Sequence, residues 1–216
     1  MPTRGRPEMA RAAMECWRRQ TGPWSELVIV DDGDDPSFPD AQDSFWGYRI
    51  SYVQLQSRLT VGAKRNLACQ VARGEYIVHF DSDDWSAPGR IADQVERMAA
   101  GWQVTGYHTL LFRQAPGLMV VEGGGVRPAR EWWRYRDRHG LAAGTSLCYR
   151  RTWWEGHPFA DHNLNQDDLF YAEAAARGVA CAVDAGKLMW ARNHAGNVSG
   201  RVIGGDEWEE LYEGLD

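Results

Sequence analysis

The sequence has few cysteines, no long apolar run and no excess of positive charge, and each of these features narrows the possible classes of protein. Its four cysteines are scattered without a C-x-x-C pair, which predicts reduced, buried thiols. No apolar run has transmembrane length and no signal peptide is present, so the sequence predicts a cytoplasmic protein. The formal net charge of −6 argues against attraction of the whole surface to nucleic acid or anionic lipid.

The composition is otherwise that of a globular protein with an unusual number of tryptophans. The chain has 216 residues, of which 44% are hydrophobic and 25% charged, and this suits a single domain. Eleven of the residues are tryptophan. Some belong to a core, but such an excess also suits stacking surfaces for flat or ring-shaped ligands.

Helical and strand patterns alternate in the first half of the chain, which predicts an α/β fold with a largely parallel sheet. Ligands of such sheets bind beyond the carboxyl ends of the strands. The predicted helices cover residues 8–20, 62–74 and 88–101, and the predicted strands cover residues 26–30, 48–55 and 75–80.

The second half has a different character. Residues 104–112 and 117–124 resemble an antiparallel hairpin, and residues 165–178 form a helix that stops at Gly178. The other predicted elements are a strand leading into a turn (144–154), a strand-like stretch (179–190) and an acidic tail with helical character (206–216).

Two acidic clusters follow predicted strands. Residues 31–35 read DDGDD, and residues 81–84 read DSDD directly after the strand 75–80. Carboxylates this close repel one another, and a divalent cation of the Mg²⁺ or Mn²⁺ type would remove that repulsion. The alternative is a solvated turn, because Asp and Ser are turn formers.

Four blocks of sequence resemble the inverting nucleotide-sugar glycosyltransferases of the GT-A fold, and they occur in the order of that family. The first two are PTRGRPEMARAAMECWRRQTGPWSELVIVDDG (2–33) and GAKRNLACQVARGEYIVHFDSDDW (62–85). The third and fourth are NQDDLFYAEAAARG (165–178) and WARNHAGNVSG (190–200). Each block alone is a weak signal, whereas four in order are a strong one.

The resemblance implies a fold and a reaction. The fold is Rossmann-like, with a mostly parallel sheet, helices on both faces and a small antiparallel extension. Residues 1–103 would form the donor-binding half, and residues 104–216 the acceptor-binding and catalytic half of the same domain. The reaction is an inverting, metal-dependent transfer from a nucleoside-diphosphate sugar, with UDP preferred and Mn²⁺ or Mg²⁺ as the cation.

The resemblance also implies roles for individual residues. Asp32 would bind the nucleobase with Thr3 and Arg4 beside it, whereas Asp31 is a less favoured contact. Arg58 or Lys64 would reach the base or the diphosphate. The remaining donor and metal assignments are Asp81 and Ser82 for the nucleotide sugar, and Asp83 with Asp81 and His194 for the metal.

The catalytic base has two candidates, Asp167 and Asp168. An inverting transfer needs one carboxylate to accept the proton of the acceptor hydroxyl. The family places this base in a Glu-Asp pair, which here reads Gln166-Asp167, followed by Asp168. Counting back from Gly178 favours Asp167, and both carboxylates would also suit the helix dipole without a catalytic role.

Two residues near these blocks keep alternative interpretations. His194 could bind the metal, contact the leaving diphosphate or be structural. Asp84 could join the metal site or cap the turn that follows, and capping is the favoured interpretation.

The acceptor side is predicted from a basic and aromatic segment, residues 127–140, and from the Trp pair at 153–154. Arginines interleaved with aromatic residues could hold DNA, a lipid-linked phosphate or the donor diphosphate, or they could pair with the many acids of the chain. The candidate acceptor-binding residues are Trp132, Trp133, Arg134 and Trp153, although core packing suits Trp153 equally. The candidate acceptors are a polysaccharide, a lipid-linked glycan and a hypermodified DNA base of the phage type.

Two other functions compete with transfer. A sugar-nucleotide-forming nucleotidyltransferase would need a Gly-rich triphosphate loop, and the stretch PTRGRP has only one Gly. A non-catalytic module that binds nucleotide sugars or glycans would have lost its acidic residues, but the D-x-D and Asp167 are present.

Overall fold

The computed structural model of the protein describes residues 1–22, 26–39, 49–122, 125–198, 203 and 206–211, and it confirms the α/β class. The helices are α1 (Pro7–Arg18), α2 (Val61–Val71), α3 (Arg90–Ala99), α4 (Arg151–Gly156) and α5 (Gln166–Ala176). The strands of the first half are β1 (Pro2–Thr3), β2 (Leu27–Asp31), β3 (Ile50–Gln54), β4 (Tyr76–Val78) and β5 (Trp85–Ser86). Those of the second half are β6 (Val104–Gln114), β7 (Met119–Glu122), β8 (Gly125–Pro128), β9 (Trp132–Arg136), β10 (Cys148–Arg150), β11 (Ala180–Asp184), β12 (Met189–Asn193) and β13 (Trp208–Leu211).

Strands β1, β2 and β3 form a parallel sheet in that order. Strand β2 is buried along its whole length, as expected of a central parallel strand. Its alternate residues face different helices: Leu27 and Ile29 pack with α1 and α3, whereas Val28 and Val30 pack with α2. Helices therefore cover both faces of this sheet, as the sequence predicted.

The helices of the first half form where the spacing of apolar residues predicts them. Helix α1 has Pro7 in its first turn, where a missing N–H costs nothing. Its buried residues Ala10, Ala13, Met14 and Trp17 lie on one face. Helix α2 begins after Thr60, whose Oγ1 accepts a hydrogen bond from the Ala63 N–H at 3.0 Å.

Strand β6 organises the second half, which is more antiparallel than the sequence predicted. Almost all of its eleven residues are buried. It pairs in parallel with β11 and β12 and antiparallel with β9 and β10, and β10 in turn pairs with β4. Because the buried run 104–114 needs partners on both edges, it recruits strands from distant parts of the chain.

Three predictions about the second half were wrong. Residues 104–112 and 117–124 do not form one hairpin, because β6 already pairs with β10 and β11 at Val104 and with β9 and β12 at Leu111; β7 pairs with β8 instead. The stretch 179–190 is two strands, separated by a turn at Gly186, whose φ is +53°. The tail contains a strand, β13, which lies against β9, and residues 212–216 lie outside the described residues.

Two further observations concern membranes and thiols. In the described part of the chain, no helix combines the length and the apolar character needed to span a bilayer. All four cysteines are free, and Cys69 and Cys148 are buried. Burial raises the pKa of the Cys69 thiol to about 11 and that of Cys148 to about 12, so both stay protonated at neutral pH.

Candidate active site

A cleft of about 570 Å³ opens beyond the carboxyl ends of β1 and β4, between the two halves of the sequence. The structure brings eight of the predicted site residues into its lining: Thr3, Arg4, Lys64, Asp81, Ser82, Asp83, Asp167 and Asp168. The strand-end rule therefore located the cleft.

Asp32 lies behind this lining and is held by two neighbours. Its Oδ1 accepts a hydrogen bond from Lys64 Nζ at 2.7 Å, and its Oδ2 accepts one from the Leu59 N–H at 3.0 Å. Asp32 and Lys64 are both buried, and a buried ion pair is strong when its hydrogen bonds are complete. Next to them, the buried Thr3 Oγ1 has no hydrogen-bond partner in the described residues, so it offers an open polar contact to a ligand.

Asp31 has a structural role. The sequence analysis gave it as a less favoured contact to the nucleobase than Asp32. Its carboxylate accepts hydrogen bonds from Ser37 N–H at 2.7 Å, Tyr52 OH at 2.8 Å and Gly33 N–H at 3.0 Å. Burial would raise the pKa of Asp31, but these donors hold it below its usual value. The DDG turn is thereby fixed and presents Asp32.

The Asp83 carboxylate contacts a guanidinium group and an imidazole ring. Arg6 NH1 forms an ion pair with Oδ2 of Asp83 at 2.5 Å, and His194 Nε2 lies 3.0 Å from the same oxygen. Burial would raise the pKa of Asp83, but the hydrogen bond from His194 and the charge of Arg6 hold it below its usual value. Asp83 is thus an ionised carboxylate at neutral pH.

The hydrogen bonds of His194 indicate its tautomer. Its Nδ1 accepts the Gly196 N–H at 3.0 Å, so the proton of the neutral ring lies on Nε2 and is donated to Asp83. The ring therefore lies beside a carboxylate that is predicted to hold the metal. The three roles given for His194, which are metal binding, contact with the leaving diphosphate and a structural role, stay predictions.

Asp81 shares a buried guanidinium with the opposite side of the cleft. Arg65 lies 3.5 Å from Asp81 Oδ2 through NH2 and 3.7 Å from Asp167 Oδ2 through NH1. The same NH1 donates to Gln166 Oε1 at 3.0 Å. Asp81 Oδ1 is buried and has no hydrogen-bond partner in the described part of the chain, so it too is available to a ligand.

Asp84 lines the cleft and joins two later segments of the chain. Its Oδ1 accepts the Arg192 N–H at 3.0 Å, and its Oδ2 accepts a hydrogen bond from Thr145 Oγ1. Burial, followed by the charges of Asp83 and Asp81, raises the pKa of Asp84 well above its usual value. These contacts extend beyond the local turn, so Asp84 ties β12 and residue 145 to the acidic loop.

Asp167 begins helix α5 and packs against the backbone of Gly144. A Cβ atom added at Gly144 would lie 1.6 Å from Asp167 Oδ2, so a side chain there would displace the Asp167 carboxylate. The Gly144 carbonyl in turn accepts a hydrogen bond from the buried His79 Nδ1 at 2.6 Å. Asp167 is half-buried and positioned by Arg65, whereas Asp168 is exposed at the cleft rim.

Five predicted residues lie outside this cleft. Arg58 is exposed and paired with Asp34 at 3.1 Å. Trp133 and Trp153 are buried in apolar clusters, and Arg134 pairs with Glu209 at 2.9 Å. Trp132 stacks edge-on against Trp190, with ring centroids 5.4 Å apart.

Four of the five arginines of the basic and aromatic segment lie beside glutamates of strand β13 and its flank. Arg127 and Arg130 both pair with Glu210, at 2.8 Å and 3.3 Å. Arg138 lies 3.8 Å from Glu207. Of the alternatives that the sequence left open, the structure favours a surface whose arginines pair with the acids of the chain.

Sequence reasoning missed Arg6 and Arg65 as site residues. Arg6 lies in the loop after β1, where PTRGRP already placed two predicted contacts. Arg65 follows the predicted Lys64 in α2. Their adjacency to predicted residues was the available signal, and only the fold shows that both side chains reach the acidic loop.

The acidic loop fits a divalent cation shared with a ligand. Asp81 and Asp83 supply hard carboxylate oxygens, and Asp81 Oδ1 lacks a partner. Within the described ranges, no group of three or more His, Cys, Asp or Glu side chains is arranged to hold a metal ion alone. Mg²⁺-type ions are commonly bound by one or two carboxylates together with the phosphates of a substrate.

The sequence is similar to a family of known proteins and to individual members of it. A sequence model described as "Glycosyl transferase family 2" matches residues 1–143. EpsH of Bacillus subtilis (strain 168) is 36% identical over 80 residues, which are 36% of this chain and 23% of that protein. The succinoglycan biosynthesis protein ExoO of Rhizobium meliloti (strain 1021) is 33% identical over 93 residues, which are 43% of this chain and 27% of that protein. The match thus spans about a quarter of each relative's length.

Solved structures share the fold at low sequence identity. Residues 1–349 of Staphylococcus aureus TarS, in complex with UDP-GlcNAc, superpose with a TM-score of 0.64 and 20% identity, covering 94% of this chain and 60% of that one. The mannosyltransferase PcManGT of Pyrobaculum calidifontis, in complex with GDP-Man and Mn²⁺, gives a TM-score of 0.69 at 15% identity, covering 91% and 56%. The cleft at the strand ends, the GT-A-type fold and the family match over residues 1–143 lead to one conclusion: the chain belongs to glycosyl transferase family 2.

Proposed function

We propose that the protein is an inverting, metal-dependent glycosyltransferase that moves a sugar from a nucleoside-diphosphate sugar to an acceptor hydroxyl. The observation that carries this proposal is the meeting of two carboxylate sets in one cleft. Asp81 and Asp83 lie on the donor side, Asp167 lies opposite, and Arg65 contacts Asp81 and Asp167. A transferase needs this separation of a diphosphate site from a base.

The donor occupies the side of the cleft formed by residues 1–103. Thr3, Arg4 and Lys64 contact the nucleobase, with Asp32 holding Lys64 from behind the lining. Asp81 and Ser82 contact the nucleotide sugar. UDP is the favoured nucleoside diphosphate of the donor, because TarS is described in complex with UDP and UDP-GlcNAc. PcManGT, described with GDP-Man, makes GDP the second candidate.

Asp83 and Asp81 would hold the cation, since both supply carboxylate oxygens to the cleft and Asp81 Oδ1 has no hydrogen-bond partner within the described residues. A bound Mn²⁺ or Mg²⁺ would neutralise charge that develops on the leaving diphosphate. The side chain of Arg6 adds a second positive charge at Asp83, and Arg65 adds one at Asp81. Preorganised cations at a leaving group stabilise the transition state without reorganisation.

Asp167 is the general base. It accepts the proton of the acceptor hydroxyl as that oxygen forms a bond to the anomeric carbon. The bond between the anomeric carbon and the diphosphate oxygen breaks at the opposite face, and its electron pair leaves with the nucleoside diphosphate. Gly144 and Arg65 fix the Asp167 carboxylate, which makes it the better candidate than the exposed Asp168.

The acceptor enters from residues 104–216, which contribute Gly144, Thr145 and Asp167 to the cleft. We propose a polysaccharide or lipid-linked glycan, in keeping with the succinoglycan relative. A phage-type DNA acceptor has less support, because the arginines on and around β9 are paired with glutamates.

Transfer is tested by mixing the protein with UDP-, GDP- and dTDP-sugars, Mn²⁺ and oligosaccharide acceptors, and measuring release of the nucleoside diphosphate. The proposal expects release that requires both acceptor and metal. Tight donor binding without release in any combination would instead favour the non-catalytic module.

A further inference from the structure

Part of the cleft lining is aromatic, and the chemistry described so far does not use it. Phe112, Tyr135 and Trp208 line the cleft together and form what we call the aromatic wall. The ring centroids of Phe112 lie 5.9 Å from those of Tyr135 and 5.1 Å from those of Trp208, and the latter two rings are 5.0 Å apart. Phe112 is buried, whereas Tyr135 and Trp208 are only half-buried. Tyr135 and Trp208 therefore present ring surface to the cleft.

The strand register explains why the three rings share one face of the sheet. Tyr135 of β9 stands opposite Leu110 of β6 and opposite Trp208 of β13. Phe112 follows two residues after Leu110, and side chains two residues apart in a strand point to the same face. The next residue after Trp208 is Glu209, which points to the opposite face and lines a separate shallow groove.

The aromatic wall lies close to the proposed base. Ala143 packs in the same apolar cluster as the three rings of the wall. The next residue, Gly144, packs against the Asp167 carboxylate. Two consecutive residues thus join the wall to Asp167, so a ligand that covers the wall lies beside the carboxylate.

The polar groups around the aromatic wall are carboxylates. Asp137 and Glu207 both line the cleft. Asp137 is held in place because its Oδ1 accepts hydrogen bonds from the His139 and Leu141 N–H groups, both at 2.9 Å. Its Oδ2 accepts one from Tyr135 OH at 3.1 Å. A carboxylate oxygen has two lone pairs, so Asp137 Oδ2 can accept a further hydrogen bond from a ligand hydroxyl.

Positive charge reaches the cleft mainly from the first half of the chain. Among the described lining residues after residue 103, Arg192 is the only lysine or arginine. Its guanidinium carbon lies 5.6 Å from the ring centroid of Trp190, which does not line the cleft. Arg138 lies 3.8 Å from Glu207 but is also not part of the lining. A negatively charged ligand is therefore favoured on the donor side and disfavoured at the aromatic wall.

We propose that the aromatic wall, together with Asp137 and Glu207, is the acceptor subsite and takes an uncharged sugar ring. This inference rests on the function proposed above and adds the chemical class of the acceptor. The apolar face of the sugar packs on Trp208 and Tyr135, and its hydroxyls donate hydrogen bonds to the two carboxylates. A uronic acid or a phosphorylated sugar would bring a like charge to these carboxylates, so the subsite discriminates against both.

The test measures binding of tetrasaccharides to the full chain without any donor, by ligand-observed NMR titration. The neutral probes are cellotetraose, maltotetraose and chitotetraose, and the acidic probe is the tetramer of galacturonic acid. At least one neutral probe is expected to bind about tenfold or more tightly than the acidic one, a difference set by like-charge repulsion. Raising the ionic strength should narrow this difference, because salt screens the repulsion.

Two variants and two matched controls locate the binding. Trp208→Leu should weaken binding of the neutral probe about tenfold, since it removes the stacking surface. Asp137→Asn should strengthen binding of the acidic probe about fivefold, and the amide can keep the hydrogen bonds to the backbone and to the tyrosine. Trp190→Leu and Glu209→Gln change the same residue types outside the cleft lining, and both should bind the probes like the native chain.

The outcomes separate the subsite from the proposed reaction. The proposal is overturned if no neutral probe binds, or if Trp208→Leu and Asp137→Asn both bind the probes like the native chain. Thermal unfolding checks that each variant is folded, and Asp137→Asn decides the matter where Trp208→Leu is not. Loss of UDP and Mn²⁺ binding in a folded Trp208→Leu would assign the wall to the donor and would also overturn the proposal. A native chain that binds glycan at the wall but never releases nucleoside diphosphate would refute transfer while leaving the subsite in place.

Discussion

The molecule has two regions rich in charge, and they are organised in opposite ways. In the cleft, Asp81 Oδ1 and Thr3 Oγ1 are buried without partners, and Arg65 is shared among three groups. Around β9, each of the arginines 127, 130 and 134 has a glutamate of β13 beside it. The cleft therefore contains polar atoms that are available to a ligand, whereas the arginines around β9 are paired within the protein.

This difference shows why charge alone is a poor guide to a site. Both regions stand out in the sequence as dense runs of ionisable residues. The acidic run follows a buried strand, where the fold converges on it from several elements. The basic run lies on a strand next to an acidic neighbour, so its charges cancel. Single substitutions in each region test this difference.

The largest effect is expected at Asp167. Asp167→Asn should lower transfer by about 10²–10⁴-fold, the range for loss of a general base, because the amide cannot accept the hydroxyl proton. Donor binding should persist. The measurement is steady-state release of nucleoside diphosphate together with calorimetry of donor binding.

Asp168→Asn is the matched control for that change. Asp168 is adjacent in sequence but exposed, so its loss should reduce transfer by less than about tenfold. A larger loss at Asp168 than at Asp167 would exchange their roles.

The next effect is on stability, at the buried pair of the donor side. Lys64→Met leaves the Asp32 carboxylate buried without its cation, and the free energy of unfolding should fall by about 3–5 kcal/mol. Replacing both residues, with Asp32→Leu added, should recover part of this loss. Denaturant unfolding of the two variants measures it, and equal loss in both would show that the pair is not coupled.

A pH effect is expected at His79, which lies beneath Gly144. Burial, assisted by the charge of Arg65, lowers the pKa of His79 well below its ordinary value of 6.5. Below pH 6.5 the unfolded chain therefore binds a proton that the folded chain does not, and the native protein loses stability as the pH falls. Each unit of pKa shift corresponds to about 1.4 kcal/mol.

The His79→Gln variant isolates this contribution. The native chain should lose stability relative to the variant as pH decreases below 6.5, in denaturant titrations at a series of pH values. A constant difference across that range would show that His79 is not held neutral.

The smallest effect is expected at Arg134. Its partner Glu209 is largely exposed, and exposed ion pairs contribute about 0–1 kcal/mol. Arg134→Ala should change the free energy of unfolding by no more than that and leave transfer unchanged. A marked loss of transfer would place acceptor contacts on β9 and remove the contrast between the two regions.

The sequence predicted the first half of the fold well because its signals are local. Strand β2 is a continuous apolar run, and α1 has its apolar residues on one face. Pairing in the second half depends on residues far apart in the chain, so the partners of β6 and the strand at 208–211 were missed. Local patterns do not specify long-range register.

Several residues of the predicted site lie together in the structure, although their roles stay predictions. Asp81, Asp83 and Asp167 meet in the cleft because strand ends and a helix start deliver them there. The tryptophans at 133 and 153 are core residues, since a run of aromatic residues does not show which face is buried. Arg65 was missed because its importance comes from partners 16 and 101 residues away.

The most direct measurement is calorimetric titration of UDP into the native protein and into Asp83→Ala, each with and without Mn²⁺. The account predicts binding to the native chain that strengthens markedly with Mn²⁺, and loss of that metal-dependent gain in Asp83→Ala. The exposed-pair variant Arg134→Ala should behave like the native protein. Metal-dependent UDP binding that survives in Asp83→Ala would contradict the claim that the acidic loop holds the cation and the diphosphate.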